Sequence, residues 1–199
     1  MKHAYARSRT FTDWRMVKEG ELERLTREIR SCLLCDLSKT RNKAVPGEGR
    51  IDARIMFVGQ APGREEDSQG RPFVGRAGRF LNGLLSEIGV KREDVYITSV
   101  VKCYPPRNRL PRKGEIEACR PYLSRQLELI DPEIVVLLGG VAVETLLGMS
   151  GLKGAVGRTL RRGGRRLFVT YHPAAGMRFP RIRRAMEEHF EQLRVLIGG

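Results

Sequence analysis

Four short apolar runs, each closed by glycine, proline or a polar turn, divide the chain: residues 55–58 (IMFV), 94–101 (DVYITSVV), 133–138 (EIVVLL) and 167–171 (LFVTY). Consecutive apolar and β-branched residues over so few positions mark strands buried on both faces. Helical periods lie between them. Leu22, Leu25, Ile29 and Cys32 share one face, and Phe80, Leu81, Leu84, Leu85 and Ile88 share another that stops at Gly89. Ile116, Cys119, Leu123, Leu127 and Ile130 predict a third helix, a short one runs through Leu147, and Ile182, Met186, Phe190, Leu193 and Ile197 predict the last. Strand and helix alternate. The expected fold is therefore a three-layer αβα architecture around a central, mostly parallel four-stranded sheet.

The remaining segments are read by what interrupts them. Residues 1–20 carry no strong period and are expected to be a basic extension that packs weakly, leaving residues 21–199 as a single domain. Residues 36–53 and Arg64–Gly70 read as loops, and Pro121 is expected near the first turns of its helix or at a kink. Five arginines between Arg158 and Arg166 surround Gly163–Gly164, which predicts a basic hairpin. No internal repeat is visible.

The first strand runs directly into Gly59, Gln60, Ala61, Pro62 and Gly63. Ligands of open α/β sheets sit outside the carboxyl ends of the strands, so this Gly/Pro loop is the expected floor of a pocket for a small polar group.

Charge sharpens the choice of ligand. The 199 residues hold 37 Lys and Arg against 23 Asp and Glu, a formal charge of +14, which suits a polyanion and above all nucleic acid. A basic solvated surface of a high-temperature organism fits the same numbers, since asparagine occurs only at 42, 82 and 108. No apolar run approaches the roughly 18 residues of a membrane span, and the N-terminus lacks the apolar stretch of a signal peptide. A soluble, cytoplasmic protein that does not bind membranes is expected.

The four cysteines form Cys32-x2-Cys35 and Cys103-x15-Cys119, with none left over. Four thiolates are a ligand set for zinc or for an iron–sulfur cluster, and spacing does not separate the two. Disulfides are disfavoured in a cytosolic chain.

Taken in order, the CxxC pair, GEGRIDARIMFVGQAPGREED, GRPFVGRAG, DVYITSVVKCYPPRNR, a cysteine 16 positions after Cys103, PEIVVLLG and YHPAA resemble the family 4 uracil-DNA glycosylases, the iron–sulfur branch of their superfamily. The resemblance spans about Leu25 to Leu196. It implies a structural [4Fe–4S] cluster on Cys32, Cys35, Cys103 and Cys119, with zinc as the alternative, and removal of uracil from DNA by base flipping to leave an abasic site. It implies Phe73 as the stacking partner of the base, and His172 as the donor that stabilises charge on uracil O2. The segment after His172 resembles the superfamily's minor-groove loop, with Met177 as wedge and Arg178 as phosphate contact. Arg161 and Arg162 suit backbone contacts or a solvated hairpin equally. His3 and His189 read as surface residues.

Two positions depart from the family pattern. Gln60 stands where the family usually has Glu, and Ser99 where it has Asn. An Asn amide can pair with uracil O4 and N3–H together, whereas one hydroxyl cannot; losing such a pair costs about 1–3 kcal/mol of base selection. Acceptance of other deaminated or mispaired bases is the expected consequence, and a damaged-DNA-binding protein with little glycosylase activity is the alternative. Gly59, Gln60, Ala61, Phe73, Ser99 and His172 form the expected substrate site. Ala61 supplies no base, so Glu66 is the expected group for water activation beside catalytic His172 and Gln60. A monomer acting on single- or double-stranded DNA is expected; nothing in residues 1–20 identifies a replication-clamp or other repair partner.

Overall fold

The computed structural model describes residues 11–198, with side chains described from Trp14 onward. A long first helix, α1 (Phe11–Ser31), leads through a 3₁₀ turn at Asp36–Lys39 to the two-residue strand β1 (Glu48–Gly49) and then β2 (Ile55–Gly59). Helices α2 (Arg64–Gln69) and α3 (Arg76–Glu87) precede β3 (Tyr96–Ser99), and α4 (Lys113–Ile130) precedes β4 (Ile134–Leu138). After α5 (Gly140–Leu147) come the hairpin β5 (Thr159–Arg162) and β6 (Arg165–Thr170), the single-turn α6 (Pro173–Arg178) and the closing α7 (Pro180–Gly198).

The sheet has six strands in the order β1-β3-β2-β4-β6-β5 rather than four. Its central four are parallel, and β1 and β5 are antiparallel edges. The four parallel strands are those read from apolar runs. The edges escaped because β1 is two residues long and β5 is mostly exposed, so neither buries a continuous run.

Strand side chains alternate between two cores, as the period of two requires. Met56, Val58, Val135, Leu137, Leu167 and Val169 face α1, α4 and α5, whereas Ile55, Phe57, Ile134, Val136, Leu138 and Phe168 face α3 and α7. The connection from β2 leaves on the α3 face and that from β4 on the α5 face. Connections diverging in this way open a crevice at the carboxyl ends of the strands.

Helix α1 takes in residues 11–20 of the expected extension, and residues 1–10 lie outside the described residues. Local expectations elsewhere are corrected or narrowed. The segment expected to be the loop Arg64–Gly70 is α2, because Glu66 caps its N-terminus and Gly70, at φ +76°, ends it. Pro121 is the ninth residue of the 18-residue α4, beyond its first turns, which leaves the kink of the two expected alternatives. His189 is buried rather than at the surface, its Nδ1 2.9 Å from Thr170 Oγ1 and its ring against Phe168 and Tyr171. Among the described residues no helix is long and apolar enough to cross a membrane.

Candidate active site and cysteine centre

The carboxyl ends of β2 and β3 and the chain leaving β6 meet at a cavity of about 1250 Å³. Gln60, Ala61, Phe73, Ser99, His172, Met177 and Arg178 all line it, with Gly59 beneath. Hydrogen bonds from Val100 N–H to Gly59 O (2.9 Å) and from Val101 N–H to Gln60 O (3.1 Å) extend the parallel pairing into the loop and fix its path.

Gly59 is needed because the Phe73 ring lies over the strand end: a Cβ at 59 would stand 2.6 Å from Phe73 Cζ. The Phe73 and His172 rings are 5.9 Å apart between centroids and tilted by 32°. They form a slot with one aromatic wall and one polar wall. Ser99, 4% exposed, closes its depth, and Gln60 stands at its side.

His172 is the N-cap of α6, and its Nδ1 accepts the Ala174 N–H at 3.2 Å. A nitrogen that accepts carries no proton, so the proton resides on Nε2. Burial pushes the imidazole down to about 4, with the Glu66 carboxylate opposing the shift. The ring is therefore neutral near pH 7 and retains one donor. Pro173 starts α6 without sacrificing a hydrogen bond, and Gly176 lets α6 dock tightly, since a Cβ there would stand 2.7 Å from Phe80 Cε1. The expected minor-groove loop is thus a helical turn presenting half-buried Met177 and exposed Arg178, whose guanidinium lies over Phe179.

Glu66 is 9% exposed, lines the cavity and accepts three backbone donors. Oε1 accepts the N–H groups of Val74 (2.9 Å) and Gly75 (2.8 Å), and Oε2 accepts that of Gly63 (3.1 Å). This carboxylate ties the loop after β2 to the loop carrying Phe73. Asn108, which composition alone did not single out, lines the same cavity. It sits at φ +57° in a loop braced by the paired hydrogen bonds of Arg109 to buried Glu115.

Arg161 and Arg162 do not join the cavity. The Gly163–Gly164 turn lies at the start of β6, at the opposite end of that strand from His172. Arg162 Nη1 there donates to Leu146 O. The arginine cluster was legible, but the end of the sheet it occupies is set by strand direction.

The four cysteines surround one small cavity with Ile29, Leu34, Ala118, Tyr122 and the stem of Lys102. Cys103 and Cys119 are buried, and burial raises both thiols, Cys119 to about 11. Three donors point at sulfur: Arg41 Nη1 at Cys103 (3.1 Å), the Lys102 N–H at Cys119 (3.3 Å) and the Leu34 N–H at Cys32 (3.5 Å). Among the described residues no three Cys, His, Asp or Glu side chains converge as ligands of a single ion. The thiols ring a cavity with largely apolar walls, and four cysteines are a donor set that fits an iron–sulfur cluster or zinc.

Two connections run from this centre to the cavity beside β2. Arg41, whose Nη2 also holds Cys32 O (2.8 Å), is followed by Asn42, whose N–H and amide bond to buried Asp67 on α2. Buried Lys102 donates through Nζ to Ser99 O (2.6 Å), Thr98 Oγ1 (2.7 Å) and Gln126 Oε1 (2.7 Å). Sequence spacing carries no signal for either, because the partners lie up to 62 positions apart.

Comparison with known proteins agrees with this geometry. The family described as the uracil DNA glycosylase superfamily matches residues 46–194. The type-4 uracil-DNA glycosylase of Archaeoglobus fulgidus is 45% identical over 186 residues, covering 89% of this chain and 94% of that protein. Those of Saccharolobus solfataricus (45%, covering 89% and 87%) and Thermotoga maritima (40%, covering 90% and 96%) are similar in extent. The chain belongs to the type-4 family of the uracil-DNA glycosylase superfamily.

Proposed function

We infer that the protein is a uracil-DNA glycosylase that flips uracil out of DNA and hydrolyses its N-glycosidic bond. The carrying observation is the slot between Phe73 and the neutral, Nε2-protonated His172. A flipped base stacks on Phe73, and Ser99 and Gln60 meet its polar edge. As the C1′–N1 bond breaks, its electron pair moves onto the base, and the His172 Nε2–H donates to O2 where the charge collects. Water oxygen then bonds to C1′, and a proton released by that water neutralises the departed base.

Glu66 acts by holding the two pocket loops, a reading supported by the three backbone donors from Gly63, Val74 and Gly75 that its oxygens accept. Met177 enters the space left by the base, and Arg178 contacts a phosphate. Cys32, Cys35, Cys103 and Cys119 hold a [4Fe–4S] cluster, which supplies a rigid cross-link among α1, the loop after β3 and α4. The donors from Arg41, Lys102 and Leu34 suit thiolates that hold a metal centre, with zinc as the alternative to the cluster.

Uracil-containing single strands and U·G and U·A duplexes, incubated with the protein and then cleaved at abasic sites, test the function. Strand scission is expected. Tight binding without base release would instead assign a damaged-DNA-binding protein, the reading favoured by Ser99 and Gln60.

A further inference from the structure

Phe73 occupies a backbone conformation that an aromatic residue rarely enters, φ +48° in the left-handed region. Such strain persists only where the surroundings over-determine it, and here one guanidinium does so. Arg92 Nη2 donates to Pro72 O (2.5 Å) and Nη1 to Phe73 O (3.2 Å), so the carbonyls of both residues are held. Its remaining donors are also used: Nε (3.1 Å) and Nη2 (2.7 Å) reach Glu48 Oε1, and Nη1 reaches Asn82 Oδ1 at 2.9 Å.

The seat beneath Arg92 is itself built. Glu48 also receives Arg71 Nε and Nη2 at 2.8 and 3.1 Å, from the residue just before Pro72. It is brought there by β1, which can lie against β3 only because residue 49 is glycine: a Cβ at Gly49 would stand 2.0 Å from Val95 O. Gly78 makes the matching allowance on α3, where a Cβ would fall 1.8 Å from Phe73 O. Arg92, Glu48 and Arg71 stand outside the cavity lining, whereas Pro72 and Phe73, which they hold, are part of it. The clamp's output is the direction of the Phe73 ring.

We propose that Arg92, seated on Glu48, is a positioning residue for base excision: it locks the Pro72–Phe73 backbone so that the ring stands preformed as the stacking wall for the flipped base. The proposal rests on the reading of Phe73 as that wall. Lysine cannot replace the guanidinium, because a single ammonium offers three donors from one point and cannot span two carbonyls, a carboxylate and an amide.

The test is a double-mutant cycle on the intact protein, with single-turnover uracil release measured across DNA concentrations for Arg92→Lys, Phe73→Ala and the pair. Arg92→Lys is expected to lower the maximal rate about tenfold, within the scale of a released backbone strain, while half-saturation changes by less than about twofold. In the Phe73→Ala background the same change should cost nothing further. Full activity of Arg92→Lys, or a loss that adds in full to that of Phe73→Ala, would overturn the proposal. Undiminished activity of Phe73→Ala would overturn the stacking assignment as well, which tells the two failures apart. Glu48→Gln weakens the seat while keeping its shape; it should show a smaller loss with the same masking by Phe73→Ala, and serves if Arg92→Lys does not fold.

Discussion

The Ala174 N–H points at His172 Nδ1 from 3.2 Å, which fixes the imidazole tautomer before any substrate arrives. With burial lowering its pKa to about 4, His172 does not change charge between pH 6 and 8. Imidazole ¹⁵N shifts should therefore report an Nε2–H tautomer across that range and titrate only near pH 4. The folded value lies below the ordinary 6.5, so the unfolded chain binds the proton more readily. Stability from this residue is complete above about pH 6.5 and is lost as pH falls toward 4. His172→Gln keeps a donor with poorer aim and should slow uracil release by at least tenfold, on the scale of one displaced oxyanion donor.

Glu66 is expected to behave as a brace. Glu66→Gln turns one acceptor into a donor facing the N–H groups of Gly63, Val74 or Gly75. The cost is about 1–3 kcal/mol of stability. Thermal melting should fall by several degrees, and any loss of excision rate should track it with an unchanged pH profile. A hundredfold slower reaction at unchanged melting temperature would instead make Glu66 the base that activates water.

How far the sequence carries is visible in the same residues. Ile55–Val58 and Ile134–Val136 are legible as strands because burial on both faces leaves continuous apolar runs. The cavity residues Gly59, Ser99 and His172 are legible because each lies at or just beyond the carboxyl end of a strand, where such sites form. Glu66 was noticed as the nearest carboxylate, but its partners at 63, 74 and 75 depend on how two loops fold onto α2. Buried Lys102 and half-buried Arg41 and Arg92 were invisible for a related reason: such a cation looks like any other in a chain with 37 Lys and Arg, until tertiary structure supplies its acceptors. For Arg161 and Arg162 the clustering is legible, whereas the strand direction that places it at the opposite end of β6 from His172 is not.

Ser99 should govern base choice. It is buried at the end of β3 opposite Gly59, within the cavity and with its main-chain oxygen held by Lys102. Ser99→Asn adds a planar donor–acceptor pair at that depth without moving the backbone. Preference for uracil over hypoxanthine, xanthine and mispaired thymine should rise by tens- to about a hundredfold, matching about 1–3 kcal/mol for a bidentate pair. A panel of base-release rates on otherwise identical duplexes measures this, and equal ratios in both proteins would place base selection elsewhere.

Arg41 should set the durability of the cysteine centre. One guanidinium nitrogen donates to Cys103 Sγ, 62 positions after Arg41, and the other spans Arg30 O (3.1 Å) and Cys32 O (2.8 Å), so Arg41 joins the end of α1 to the cysteine that follows β3. Donors to ligating sulfur stabilise the reduced, more negative cluster and raise its potential. Arg41→Met keeps much of the apolar stem while removing all three bonds. The purified variant should hold less iron per chain, bleach faster in air and show a more negative potential than the unaltered protein. Asn42, the next residue, bonds to Asp67 on α2 beside Glu66, so a loosened centre should also slow uracil release in proportion to lost iron. Iron content, visible absorbance and excision rate measured on the same preparations decide it: full iron and an unchanged potential would show that Arg41 is a surface staple with no hold on the centre.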